Sequence, residues 1–77
     1  MINYFFIVIL MLYTIKTIQG KKYTIEENTN LDNLKYKILK EIGTPIDTQC
    51  LLLNGKLIKE LPDKNSILYL VYKLTGG

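Results

Sequence analysis

The sequence has no histidine, tryptophan, arginine or alanine, and its one cysteine is Cys50. Each absence closes off some chemistry. Without histidine, no side chain has an ordinary pKa suited to moving protons near neutral pH. Cys50 has no such base to activate it as a nucleophile. A lone cysteine forms no intrachain disulfide, and a reducing compartment is the simplest reading. Without arginine, the usual arginine contacts to bases and phosphates cannot form. The formal charge of +3 comes from ten cations against seven acids. It is spread along the chain and too small to indicate a nucleic-acid partner. Metal-ligand clusters and phosphate-cradling glycine motifs are missing as well. No cofactor is expected, and the chain reads as a substrate of enzymes, not an enzyme.

What is present suits one small domain. The chain has 77 residues, 48% of them hydrophobic, which is too apolar for a disordered segment. Part of that excess lies in Met1–Tyr13, MINYFFIVILMLY. This run is short of the about 20 apolar residues of a transmembrane helix. As a signal peptide it lacks a basic start and has no small residue before Gly20. The preferred reading is an apolar extension, 1–10, before a domain that opens at Met11. Membrane contact or entry into the secretory pathway would rest on that extension alone.

From Met11 the periodicity is regular. Met11, Tyr13 and Ile15 alternate with Leu12, Thr14 and Lys16, a strand signal. Gln19–Lys22 supplies a turn, and Tyr23-Thr24-Ile25 resumes the alternation, completing a hairpin. Thr29 or Asn30 is placed to cap a helix whose buried stripe is Leu31, Leu34, Ile38 and Ile42. Asp32 sits in its first turn, Gly43 suits its end, and Pro45 blocks continuation. Gln49–Leu53 is a third strand and Asn54-Gly55 a strong two-residue hairpin signal, with Lys56-Leu57-Ile58 as a short return. Leu61–Ser66 is loop. Ile67–Tyr72 is a nearly all-apolar strand expected at the centre of the sheet. The order strand, strand, helix, strand, short strand, strand predicts a two-layer α+β fold.

Several strings in that order, MLYTIKTIQGK, LDNLKYKILKEIGTP, DTQCLLLNGK and SILYLVYKLTGG, resemble the ubiquitin family from Met11 to Gly77. The resemblance implies a β-grasp fold, a mixed sheet of four to five strands packed on one helix. The domain would span 11–73, with a flexible tail at 74–77. The sequence departs from the family in two places. The loop after the first hairpin is about two residues shorter. The stretch between Lys56 and Ser66 lacks about seven residues, which in the family plug one end of the core. Their loss costs buried apolar area, at about 25 cal/mol per Å².

The resemblance also implies a function: a protein modifier activated at its terminal glycine and passed to amines of target proteins. Gly76 and Gly77 would be the conjugation terminus, because residues without Cβ thread a narrow enzyme cleft. With the chain stopping at Gly77, no processing is expected before activation. Lys73 and Leu74 would be read by the activating enzyme. Thr75 stands where the family has a second basic residue, so the activating enzyme need not be ubiquitin's own. Strand parity sends Cys50, Leu52, Tyr69 and Val71 to the sheet face away from the helix. With Ile18, the residues Leu52, Tyr69 and Val71 form a candidate patch for ubiquitin-binding domains. Lys56, Lys64 and Lys21 are candidate chain-linkage lysines, Lys56 matching best. For most lysines a solvated charged surface is the simpler reading, and Cys50 reads as a structural strand residue. Expected partners are activating and conjugating enzymes, target-protein lysines and ubiquitin-binding domains, met by a monomer in cytoplasm and nucleus. Two alternatives are a non-covalent binding module or decoy that uses the patch, and a β-grasp sulfur carrier that uses the tail.

Overall fold

The computed structural model describes residues 11–73; the extension 1–10 and the tail 74–77 lie outside the described residues. Five strands and one helix follow the order anticipated: β1 (Leu12–Lys16), β2 (Lys22–Glu26), α1 (Leu31–Ile42), β3 (Gln49–Leu53), β4 (Lys56–Leu57) and β5 (Ile67–Tyr72). The sheet order is β2-β1-β5-β3-β4. β1 and β5 are parallel and the other neighbours antiparallel, so the sheet is mixed. With one helix on one face, this is the ubiquitin-like β-grasp.

The local reasons are visible in the sequence. Asn30 caps α1 by accepting the Asn33 N–H through its Oδ1, at 2.8 Å, one of the donors a helix start otherwise leaves unpaired. Gly43 ends the helix at φ +89° and its N–H donates to the Leu39 carbonyl, a left-handed stop that glycine adopts without strain. Pro45 then leads into a short 3-10 turn, Ile46–Thr48, which periodicity had not indicated. The first hairpin turns earlier than Gln19–Lys22: Lys22 is already in β2, opposite Lys16.

The core consists of Tyr13, Ile15, Ile25, Leu34, Ile38, Leu51, Leu68 and Leu70. Met11, Tyr23 and Leu53, which alternation places on the same face as these core residues, sit at the margin of the core, partly buried. β5 is central, as its composition suggested, yet one of its faces is open: Leu68 and Leu70 are buried while Ile67 and Tyr69 are exposed. Among the described residues no second helix covers that face, so its apolar residues do not signal double-sided burial.

Two polar features close the ends of the core. The fully buried Tyr13 donates its hydroxyl to the Pro62 carbonyl at 2.6 Å, tying β1 to the shortened 58–66 stretch. Burial, then the charges of Asp63 and Glu27, push its phenol pKa up. The buried Gln49 donates from Nε2 to the Lys35 carbonyl at 2.8 Å and the Thr44 carbonyl at 2.9 Å. It thereby joins β3 to Lys35 within α1 and to Thr44 just after the helix.

Candidate functional site: the open sheet face

The register lines up one row of side chains across all five strands. Lys22 lies opposite Lys16, Lys16 opposite Tyr69, Tyr69 opposite Leu52, and Leu52 opposite Leu57. Because alternate residues share a face, this row belongs to the side away from α1. Val71 and Cys50 form the next row toward the end of β5. Thr24, Thr14 and Ile67 form the row on the other side.

The candidate patch residues fall together on this geometry. Tyr69 is 49% exposed and Ile18 64%, while Leu52, Val71 and Cys50 are partly exposed. Val71 continues the face from Tyr69 along β5, while Ile18 lies exposed in the turn that follows Lys16, the β1 partner of Tyr69. Leu57 and Ile67 are further apolar members, at 57% and 47% exposed. Sequence reasoning had not counted them, although the signals existed. A two-residue turn at Asn54-Gly55 places Leu57 opposite Leu52, and Ile67 shares parity with Tyr69.

The face is charged at one end. The Lys16 ammonium lies 5.5 Å from the Tyr69 ring centroid, within cation–π range, and Lys22 stands beyond it. An apolar centre with a basic margin suits an apolar partner surface that carries an acid on one side.

The tail candidates begin where the described structure stops. The Lys73 N–H donates to the Thr48 carbonyl at 2.7 Å, which holds the end of β5 against the start of β3. Leu74, Gly76 and Gly77 lie outside the described residues. Of the linkage candidates, Lys21 is exposed in the first hairpin turn, Lys56 is exposed beside the Asn54-Gly55 turn, and Lys64 is exposed in the loop before β5. Lys56 lies on the edge strand β4 opposite Leu53, and by parity belongs to the face opposite Leu57; Lys21 and Lys64 are on other loops.

A buried carboxylate escaped sequence reasoning. Glu27 is only 3% exposed and sits ahead of α1. It accepts the Thr29 N–H at 2.9 Å, the Asn30 N–H at 3.3 Å and the Thr29 hydroxyl, and pairs with the Lys37 ammonium at 2.9 Å. Burial raises its pKa, but these bonds together outweigh burial and hold it at about 2. Lys37 also donates to the Glu26 carbonyl at 2.6 Å. The cluster is saturated by the chain's own donors and serves to fix the helix N-terminus.

Among the described residues, no group of three or more acids and cysteines is placed to hold a metal. Among the same residues, no helix is long and apolar enough to cross a membrane. Residues 14–71 match the family model described as Ubiquitin family.

Proposed function

The chain belongs to the ubiquitin family, and from that membership we propose that it is a protein modifier, conjugated through Gly77 to amines of target proteins. One observation carries the proposal. The Lys73 N–H on the Thr48 carbonyl closes the β-grasp domain immediately before Leu74-Thr75-Gly76-Gly77. A carboxylate reacts with an amine only after activation. An activating enzyme would spend ATP to make the Gly77 acyl-adenylate, then a thioester on an enzyme cysteine, and a target lysine would take the acyl group. The chain supplies the carboxylate, a Lys73-Leu74 element to be recognised, and the open sheet face for ubiquitin-binding domains. It acts as a monomer in cytoplasm and nucleus and supplies no catalytic group. Membrane contact, if made, runs through residues 1–10.

The test is ATP-dependent, reductant-sensitive loading of the full chain onto an activating or conjugating enzyme of its own organism. Loading that disappears when Gly76-Gly77 is deleted supports the proposal. No charging of any such enzyme, with the deletion changing nothing, refutes it. A thiocarboxylate at Gly77 would instead identify a sulfur carrier.

The exposure of Tyr69, Leu57 and Ile18 favours one second reading, a non-covalent binding module or decoy that uses the sheet face. Leu52→Ala would then abolish partner binding while the tail deletion left it intact.

A further inference from the structure

The Asn54-Gly55 turn does more than connect β3 to β4. We propose that Asn54 is a site of spontaneous deamidation and isoaspartate formation, which adds one negative charge beside Lys56 and disrupts the hairpin that carries Leu57. The chemistry is independent of the function proposed above.

The reaction needs an accessible side-chain amide and a free backbone nitrogen on the following residue. Asn54 is exposed, and its side chain makes no hydrogen bond among the described residues. Asn28, Asn30 and Asn33, by contrast, are each held: Asn28 accepts from the Met11 N–H, Asn30 from the Asn33 N–H, and the Asn33 amide donates to the Thr29 hydroxyl. Nor does the Gly55 N–H donate to any backbone carbonyl outside the strands. A Cβ built on Gly55 would meet nothing within 4 Å beyond its chain neighbours, so no other segment packs on the turn tip there.

The steps balance without a redox partner. Gly55 N loses its proton and attacks Asn54 Cγ. The bond from Cγ to the amide nitrogen breaks, and ammonia leaves with the proton. Water then opens the five-membered imide at either carbonyl. One opening yields aspartate. The other yields isoaspartate, whose backbone runs through the former side chain with one extra carbon. Net, water enters, ammonia leaves, and the charge falls by one from +3.

The turn itself sets the rate. Asn54 at φ +52° and Gly55 at φ +81° form a left-handed two-residue turn, and in that shape the Gly55 nitrogen is held away from Cγ. Attack requires the tip to open. The opening is cheap because β4 has only two residues, Lys56 and Leu57, both exposed, and short exposed pairings lie at the low end of local stability. Once isoaspartate forms, the added carbon no longer fits the turn. The Leu52–Leu57 and Leu53–Lys56 pairings lose their register, and the edge of the open face changes in shape and charge.

The full-length protein, incubated at mildly alkaline pH, is digested and mapped for isoaspartate, alongside the same chain in concentrated urea. The expected result is that isoaspartate accumulates first at position 54 in the folded protein. The rate should rise with pH and lie within about tenfold of the rate in urea. An Asn54→Gln variant, whose longer side chain disfavours the imide, should lose the signal while its circular dichroism spectrum stays that of the folded protein. The proposal is overturned if the folded protein forms no more isoaspartate at 54 than at Asn28, Asn30 or Asn33 while the urea sample converts.

Discussion

Replacing Glu27 with glutamine probes the energetics of the fold most sharply. The folded carboxyl is held at about 2 against an ordinary 4.5. That difference contributes about 3 kcal/mol at neutral pH, a large fraction of the about 5–15 kcal/mol that stabilises a small domain. The sign follows from the depressed folded value: the stabilisation is complete above pH 4.5 and is lost as the pH falls through about 2. Glutamine is nearly isosteric. It keeps one acceptor for the Thr29 and Asn30 N–H groups but removes the ion pair, leaving the Lys37 ammonium its bond to the Glu26 carbonyl. Because Lys37 is 47% exposed, water compensates that loss in part, so Glu27→Gln should cost about 2–3 kcal/mol at pH 7. For a chain of this size the melting temperature should drop by roughly 10–20 °C. Urea melts followed by circular dichroism, at several pH values from 7 to 2, give both curves. The gap between wild type and variant should close toward pH 2, where the native carboxylate has become protonated too. A gap below about 0.5 kcal/mol at pH 7, or one that persists undiminished at pH 2, would refute the electrostatic account.

Other predictions rest on separate contacts. Tyr13→Phe removes the hydroxyl bond to Pro62 and keeps the ring, so it should cost about 1 kcal/mol, whereas Tyr13→Ala should cost about 3–5 kcal/mol; denaturant melts distinguish the two. Gly43→Ala introduces a Cβ at φ +89° where space is open, so its cost should be purely conformational, about 1 kcal/mol. Leu52→Ala and Tyr69→Ala should each weaken binding of a sheet-face partner about tenfold or more in titration calorimetry, with melts showing each variant still folded.

Features set by neighbours in sequence were legible in advance. Asn30, Gly43 and Asn54-Gly55 mark boundaries because capping and turn geometry depend on a few adjacent residues. Alternation in β3 and β5 separated the buried Leu51, Leu68 and Leu70 from the open-face Leu52, Tyr69 and Val71, because strand parity is a local property. Contacts between distant segments were not legible. Glu27 lies in Glu26-Glu27-Asn28-Thr29-Asn30, a run that reads as solvated loop; only the approach of Lys37 and the helix start makes it a buried partner. Tyr13 and Pro62 are 49 positions apart, and the hydroxyl bond depends on how the shortened loop crosses the core. The row from Lys22 to Leu57 needed the sheet order, which alternation alone does not supply.

The central claim, conjugation through Gly77, has a direct signature in the sequence. Lys73 is the last residue in the chain after which trypsin cuts, because Leu74-Thr75-Gly76-Gly77 contains no lysine or arginine. Tryptic digestion of proteins from cells that express the full chain should therefore leave a Leu-Thr-Gly-Gly branch on target lysines, visible by mass spectrometry. Those branched peptides should disappear when Gly76-Gly77 is deleted. Recovery of Leu74–Gly77 only as a free, unbranched peptide, in cells where the protein is abundant, would contradict the account.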